Sequence, residues 1–326
     1  MPGRDGDIDP SNALSNVVSS SIVVVTVNVD GIGSYEASPE ARMEAIGDHV
    51  LSLNPDVLLF QEVVMVMYLV LRRRFPGWAV YRKHDVAEEY FVVTLVKDAA
   101  GAEDDRTSSY LFPTSNNGRH LLTVRRRGWA LVNVHAESGG AERDERARQF
   151  LHMSRLHEHD QDRIYVLAGD FNAREGEDLC LLSEGWADAW VDARSVRDVE
   201  DLQEDDWTWR RGLNAMRFDR VYVHARGDET VECVSVTRVM DVWDTLTDHA
   251  ALRVELRRRP YPPAGAKPCV GIAAITVDAR APEDDRPSRR RRGSPKVSAA
   301  KRQQKDMGVR LDVRVVEIAN AVTQGL

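Results

Sequence analysis

Ile164-Tyr165-Val166-Leu167-Ala168-Gly169-Asp170-Phe171-Asn172-Ala173-Arg174 is the stretch on which the fold and the chemistry both turn. Five consecutive apolar residues read as a strand buried on both faces, and Gly169 ends it. A carboxylate and an amide then stand two apart, Asp170 and Asn172, followed by Arg174. A buried strand that ends in glycine and presents a carboxylate holds a general base rigidly at a sheet edge. Taken alone, the same residues also read as an Asx turn closing a core strand. The rest of the chain must supply what Asp170 would need.

The chain has 326 residues, 43% hydrophobic and 29% charged, enough for a large globular core. Its net charge of -8 is unevenly spread, because residues 286–305 hold nine Lys and Arg and no acid. An acidic body argues against broad nonspecific coating of DNA but leaves room for a local basic groove. Cys180, Cys233 and Cys269 form no Cys-x-x-Cys pair, which disfavours a zinc site or a disulfide framework and suits a reducing compartment. The first twenty residues are polar and contain no apolar signal-peptide core. The longest apolar run, Val63 to Leu71, is far short of the roughly 20 residues that span a bilayer. The expectation is an intracellular protein of the nucleus or cytoplasm, monomeric and without a membrane partner.

Residues 1–20 read as a disordered N-terminus. Ser21 to Val29 is a β-branched strand that stops at Asp30-Gly31 with Asn28 near its end. Ser38-Pro39 opens a helix whose apolar positions, Met43, Ile46, Val50 and Leu53, run to Asn54-Pro55. Val57 to Glu62 is a second apolar strand ending in a carboxylate, and a strand–helix–strand unit brings Asn28 and Glu62 to one sheet edge. A short helix over residues 64–74 precedes strand-like segments at 78–81, 90–96, 108–112, 120–124 and 129–134, the last ending at His135. A charged helix over 142–157 leads into the opening stretch. Downstream come a short helix at 177–182, an acidic loop over 192–206, and strands near 217–223, 231–238 and 250–256. So many strands with few long helices predict two packed sheets covered by helices.

Six strand boundaries thus carry Asn28, Glu62, His135, Asp170 with Asn172, Asp219, and Asp248 with His249. Carboxylates with an amide and no thiol suit a hard cation such as Mg²⁺, with Mn²⁺ as a substitute. Histidines donate to phosphate oxygens, and an acid behind one of them favours its charged form. A carboxylate steadied by an amide orients or deprotonates water. Together these are the parts for metal-assisted hydrolysis of a phosphate ester.

On these motifs, Gln61-Glu62, His135, Gly169-Asp170-Phe171-Asn172, Asp219 and Thr247-Asp248-His249 among them, the chain over residues 21–258 resembles the endonuclease/exonuclease/phosphatase superfamily. The resemblance implies an α/β four-layer αββα sandwich with two mixed β-sheets and one Mg²⁺ site at the sheet edge. It implies Glu62 as principal metal ligand, with Asn28 and Asp248 near the metal and its waters. Asp170, positioned by Asn172, would align the attacking water, while His249 (paired with Asp219) and His135 would hold the phosphate. Further segments resemble the branch acting on tyrosine linked to DNA 5′ ends: Asn28-Val29-Asp30-Gly31-Ile32, Asn54-Pro55-Asp56-Val57, Phe112-Pro113-Thr114 with Arg119-His120, and Trp207-Thr208-Trp209 ahead of Arg217-Phe218-Asp219-Arg220. That likeness implies Arg119 and Trp209 flanking a tyrosyl leaving group and Arg174 near the site. Val27, Ala136, His120 and Thr247 depart from the branch's usual residues.

The partner so implied is nucleic acid carrying a 5′-linked tyrosine or peptide, DNA or RNA. The alternatives are a DNA endo- or exonuclease or a small-molecule phosphodiesterase of the same superfamily, and a catalytically silent adaptor, which the intact acid set opposes. Arg125-Arg126-Arg127 reads as a solvated hairpin tip or a phosphate contact, and Arg210-Arg211 as a phosphate contact. Residues 259–326 read as a flexible tail whose basic segment 286–305 is a candidate nuclear-localisation signal, ending in an apolar segment at 309–321.

Overall fold

The computed structural model describes residues 21–82, 89–158, 164–195, 206–227, 229–240 and 242–260. The expectations for residues 1–20, for the basic segment 286–305 and for the apolar segment 309–321 lie outside the described residues, as does Cys269.

The first sheet contains β1 (Ser21–Asn28), β2 (Val57–Val63), β3 (Trp78–Arg82), β4 (Phe91–Lys97), β13 (Glu229–Val239) and β14 (Ala251–Pro260), in the order β13-β14-β1-β2-β4-β3. The second contains β5 (Arg106–Leu111), β6 (His120–Arg126), β7 (Trp129–His135), β8 (Ile164–Asp170), β9 (Ala187–Asp188) and β12 (Asp219–Ala225), in the order β5-β6-β7-β8-β12-β9. Each sheet has one parallel pair, β1 with β2 and β7 with β8, among antiparallel neighbours. Both are therefore mixed, as expected. β10 (Trp209–Arg211) and β11 (Asn214–Met216) form a separate small hairpin.

Alternation along the strands makes the layers. Val25, Val27, Leu58 and Phe60 face α1 (Pro39–Ser52) and α2 (Met65–Arg74), joining Met43, Ile46, Val50, Met67 and Leu71 in one core. Their sequence neighbours Val24, Val57 and Leu59 face the other way and meet Val124, Leu131, Val166 and Val221 of the second sheet. The outer face of that sheet, with Val132, Val134, Tyr165 and Leu167, packs on Phe150 and Met153 of α3 (Arg143–Ser154) and Leu181 of α4 (Leu179–Ser183). Helices, sheet, sheet and helices make the four-layer sandwich. The Ser38 hydroxyl caps α1 by accepting from the Ala41 amide at 3.3 Å, with Pro39 in the first turn.

Three details differ from the expectation. Residues 192–195 belong to α5 (Ala189–Ser195) rather than to a loop, and β9 and the β10–β11 hairpin were not anticipated. These elements are two to seven residues long, too short to show a period. The sheet body also reaches Pro260, two residues past the expected boundary. Among the described residues no helix is long and apolar enough to cross a membrane.

Candidate active site

Strand register assembles the site. In the second sheet His135, Asp170 and Asp219 lie side by side on three adjacent strands. In the first, Asn28 pairs with Gln61, which puts Glu62 one residue beyond. Both parallel pairs end at the same edge, so the two sheets deliver their acids to one place.

Local backbone then aims the side chains. Glu62 has φ 56°, in the left-handed region, at a shift in the β2–β4 register between Phe60 and Val63. Such a conformation costs about 1–3 kcal/mol for a residue with a Cβ and gathers at functional sites. Gly31 donates its amide to the Glu62 carbonyl at 3.1 Å, and a Cβ on Gly31 would stand 2.1 Å from that oxygen, so only glycine fits. Gly169 has φ 144°, and a Cβ there would stand 2.0 Å from the Val134 carbonyl oxygen. Beyond it the Asn172 amide donates to Asp170 Oδ1 at 2.8 Å, the Asx bend expected of this motif. The Asn172 side chain is anchored separately, donating to the Ala136 carbonyl at 3.2 Å.

At the centre the Asn28 amide donates to Glu62 Oε1 at 3.1 Å and to Asp170 Oδ2 at 3.0 Å. Its own oxygen accepts from the Asp30 amide at 2.9 Å, which fixes the amide's orientation. His135 Nε2 stands 3.4 Å from Glu62 Oε1 and 3.6 Å from Asp170 Oδ2. His249 Nδ1 lies 2.7 Å from Asp219 Oδ2, and its Nε2 faces Asp170 Oδ2 at 3.9 Å and Asp248 Oδ1 at 3.7 Å. Asn28, His135, Asp170, Asn172, Asp219 and His249 are all buried, while Glu62 and Asp248 keep part of their carboxylates open.

The electrostatics divide these groups. Burial pushes Glu62 up to about 7, against the pull of the Asn28 hydrogen bond. Burial likewise holds Asp170 above the usual carboxylate range, opposed by His249, and raises Asp248. For His249 burial favours the neutral ring, but Asp219, then Asp170 and Asp248, outweigh it and push the group up to about 10. It is an imidazolium. His135 is held neutral by burial and then by Arg119. Arg119 Nη1 stands 2.6 Å from His135 Nδ1, and a guanidinium only donates, so the ring carries its proton on Nε2, facing the two acids.

Glu62, His135 and Asp170 offer ligand atoms all within 4.8 Å of one another. The part-open Glu62 carboxylate and the buried Asp170 carboxylate share one neutral amide, a concentration of negative charge that a hard divalent cation would relieve. The donor set fits such an ion. Of the two ligands expected, Glu62 belongs to this group; Asp248 stands outside it, with Oδ2 accepting from the Trp209 indole at 2.8 Å.

The three expected substrate residues are distributed around the cluster. Arg119 is buried, reaching Ser138 Oγ at 3.1 Å as well as His135. Trp209 adjoins Asp248 and packs on Phe218 at 5.1 Å between ring centres. Arg174 caps the Asn172 carbonyl at 2.9 Å and lies 5.7 Å over the Phe218 ring. Arg210 is exposed beside the site, its amide donating to the Asp248 carbonyl at 3.2 Å. Arg125, Arg126 and Arg127 lie at the opposite end of β6, away from it.

Sequence reasoning passed over three residues. Tyr90 lies 5.9 Å from the His135 ring and 5.3 Å from the Arg119 guanidinium. Thr208 accepts from the Asp219 amide at 2.8 Å and, through its carbonyl, from the Ala250 amide at 2.6 Å. Arg42 lies behind the loops that carry Asn28 and Asp248. Thr208 had a signal in its place between two tryptophans, and Arg42 in its helical spacing with Ile46 and Val50.

The sequence pattern of the Endonuclease/Exonuclease/phosphatase family matches residues 25–249, from the first strand through the last site histidine. The chain belongs to that family. Among curated members it is 24% identical over 232 residues to tyrosyl-DNA phosphodiesterase 2 of Homo sapiens, covering 68% of this chain and 63% of that protein. It is 28% identical over 214 residues to 5′-tyrosyl-DNA phosphodiesterase of Caenorhabditis briggsae, covering 60% and 58%. The chain thus spans a little under two thirds of the length of these relatives. The family fold is also seen in a crystal structure of D. rerio tyrosyl-DNA phosphodiesterase 2 complexed with single strand DNA product. It superposes with a TM-score of 0.61 at 22% identity, covering 73% of this chain and all of that one.

Proposed function

We propose that this chain is a Mg²⁺-dependent phosphodiesterase that hydrolyses the bond between a tyrosine side chain and the 5′-phosphate of DNA. The observation that carries the proposal is the pair of acids, Glu62 and Asp170, joined by one Asn28 amide and faced by an imidazolium and a neutral imidazole. The likeness to 5′-tyrosyl-DNA phosphodiesterases supports the choice of ester.

Glu62, with Asp170 beside it, would hold the cation, which supplies charge neutralisation at the phosphoryl oxygens. Asp170, held in place by the Asn172 amide and the Asn28 side chain, orients the attacking water and accepts its proton. Its raised pKa suits it to that task. As the water oxygen bonds to phosphorus, His249 and His135 donate from Nε2 to the phosphoryl oxygens, and Asp219 keeps the His249 charge in place. The bond to the phenol oxygen breaks and its electron pair leaves on that oxygen. A phenol has a pKa of about 10, so it leaves without a strong general acid. Arg119 beside His135 and the Trp209 indole beside Asp248 offer a cation and a ring to the departing phenol.

The test is purified protein with Mg²⁺ and three oligonucleotides, bearing a 5′-phosphotyrosine, an abasic site or a plain end. The expected result is free tyrosine and a 5′-phosphate from the first, abolished by chelator and by Asp170→Asn. Turnover confined to the abasic or plain-ended strand would overturn the tyrosyl reading in favour of a nuclease. No metal-dependent hydrolysis of any of the three would overturn the enzyme reading.

A further inference from the structure

Arg42 is, with Arg146, one of two fully buried arginines of the described residues, with 1% exposure, and it projects from α1, a helix that contributes nothing else to the site. Among the described residues no carboxylate pairs with it within ion-pair distance. Its Nη1 donates to the Val29 carbonyl at 3.1 Å and to the Leu246 carbonyl, and its Nη2 donates to the Asp30 carbonyl at 2.7 Å. One face of the guanidinium lies 3.9 Å from the centre of the Tyr35 ring, whose hydroxyl donates to Asp30 Oδ2 at 2.7 Å.

The identity of the acceptors is what matters. Val29 and Asp30 follow Asn28, and the Asp30 amide is the group that orients the Asn28 side chain. Leu246 precedes Thr247, Asp248 and His249. Thr247 ties the same two loops a second time, since its hydroxyl donates to the Asn28 carbonyl at 2.7 Å and accepts from the His249 amide at 3.2 Å. A buried cation is expensive, and an apolar side chain of similar volume would fill this space at lower cost. What an apolar side chain cannot do is bind three carbonyls of two separate loops, for which the planar fork of arginine is suited and a lysine only partly so.

We propose that Arg42 is a positioning residue for phosphodiester hydrolysis. It locks the loop after β1 against the loop before β14, and so sets the Asn28 amide, and with it Glu62 and Asp170, relative to Asp248 and His249. The proposal rests on the hydrolytic reading of the site but not on the tyrosyl leaving group. Arg42 touches no reacting atom. Its removal acts on the rate of the chemical step, where a displacement of about 1 Å costs on the order of 100-fold, and leaves substrate binding nearly alone.

The experiment measures kcat and KM with Mg²⁺ for the wild type, Arg42→Lys, Arg42→Met and Val50→Ala, on whichever of the three oligonucleotides the wild type turns over. Val50 is a buried core residue of the same helix and serves as a control for lost stability. Folding is followed by circular dichroism, and assays are run below each variant's melting range. Arg42→Met is expected to lower kcat about 30-fold with KM within about threefold, and Arg42→Lys, which keeps charge and fold, about fivefold. Val50→Ala lowers the melting temperature and leaves kcat within about twofold. If Arg42→Met does not fold, Arg42→Lys alone decides. Mn²⁺ affinity, read by electron paramagnetic resonance, gives a second measure that needs no substrate, and both Arg42 variants are expected to bind the ion several-fold more weakly. A wild type that hydrolyses none of the esters would sink the functional reading, and the Mn²⁺ comparison would still decide this one. Arg42→Lys with wild-type kcat and wild-type Mn²⁺ affinity overturns the proposal, as does a kcat loss in Arg42→Met that Val50→Ala reproduces.

Discussion

The two ends of the second sheet bury charge in opposite ways. At one end His135, Asp170 and Asp219 form a row across three strands. At the other end Trp129 and Ile164 stand in register, and Arg126 pairs with Trp129 across the β6–β7 turn. Arg126 is buried too, yet it is well met: it donates to the Lys97 carbonyl at 3.0 Å and to the Asp98 carbonyl, and its Nε lies 3.4 Å from the buried Asp105 carboxylate. At the first end Asp219 is met by the His249 imidazolium at 2.7 Å, but among the described residues Asp170 and Glu62 have no ion pair as close. Two carboxylates share one amide, and Glu62 is pushed up to about 7. A buried ion that is satisfied on all sides holds a fold together. Buried acids left short of cations mark the place where a cation or a phosphate is meant to come.

The sharpest way to break this contrast is at Glu62. Glu62→Gln keeps the shape and the contact with Asn28 while removing the charge. It is expected to lower kcat by about 10³-fold or more. The same change should leave the metal-free protein as stable as the wild type or more so, because it removes a carboxylate that burial disfavours. Steady-state kinetics and a thermal melt in chelator read the two effects, and a loss of stability matching the loss of rate would mean that the acid is structural. Arg119→Ala comes next, with kcat/KM on the tyrosyl oligonucleotide expected to fall about 10- to 100-fold, since it releases the His135 tautomer and the contact proposed for the phenol. The counterpart at the far end is Arg126→Met. It strands the Asp105 carboxylate and should cost about 2–4 kcal/mol in urea unfolding, with kcat/KM within about twofold of wild type. A fall in kcat/KM there would erase the distinction between the two ends.

The same contrast explains what could be read from the sequence. Asn28, Glu62, His135 and Asp170 each stand where an apolar run stops and His249 where one begins, so strand boundaries alone line them up. The αββα layering follows from the alternation along the strands. Arg126 is invisible to that reading because nothing local separates it from Arg125 and Arg127; its burial is set by Trp129 across the turn and by the carbonyls of residues 97 and 98. Arg42 is hidden for a similar reason. It sits on the apolar face of α1, four residues before Ile46 and eight before Val50, but its partners lie 12, 13 and 204 residues away. Side chains that act through distant backbone carbonyls leave no spacing that points to those partners. The β10–β11 hairpin was missed because three-residue strands around Arg-Arg-Gly show no alternation.

The far end also carries a titrating group, and it gives the mildest test. The His224 ring stacks on His157 with centres 4.1 Å apart, beside Trp186 at 5.5 Å and Tyr165 at 6.4 Å. Burial, then His157, then Arg226, lower His224 to about 4. An unfolded histidine titrates near 6.5, so between about 6.5 and 4 the unfolded chain binds a proton that the folded chain refuses. The stability this neutral ring supports is complete above pH 6.5 and is lost as pH falls toward 4. Urea midpoints at pH 7 and pH 5 should therefore drop in the wild type and drop less in His224→Gln, while kcat/KM at pH 7 stays unchanged. Equal drops in the two proteins would show that acid sensitivity arises elsewhere, and a change in kcat/KM would show that the two ends of the sheet are coupled.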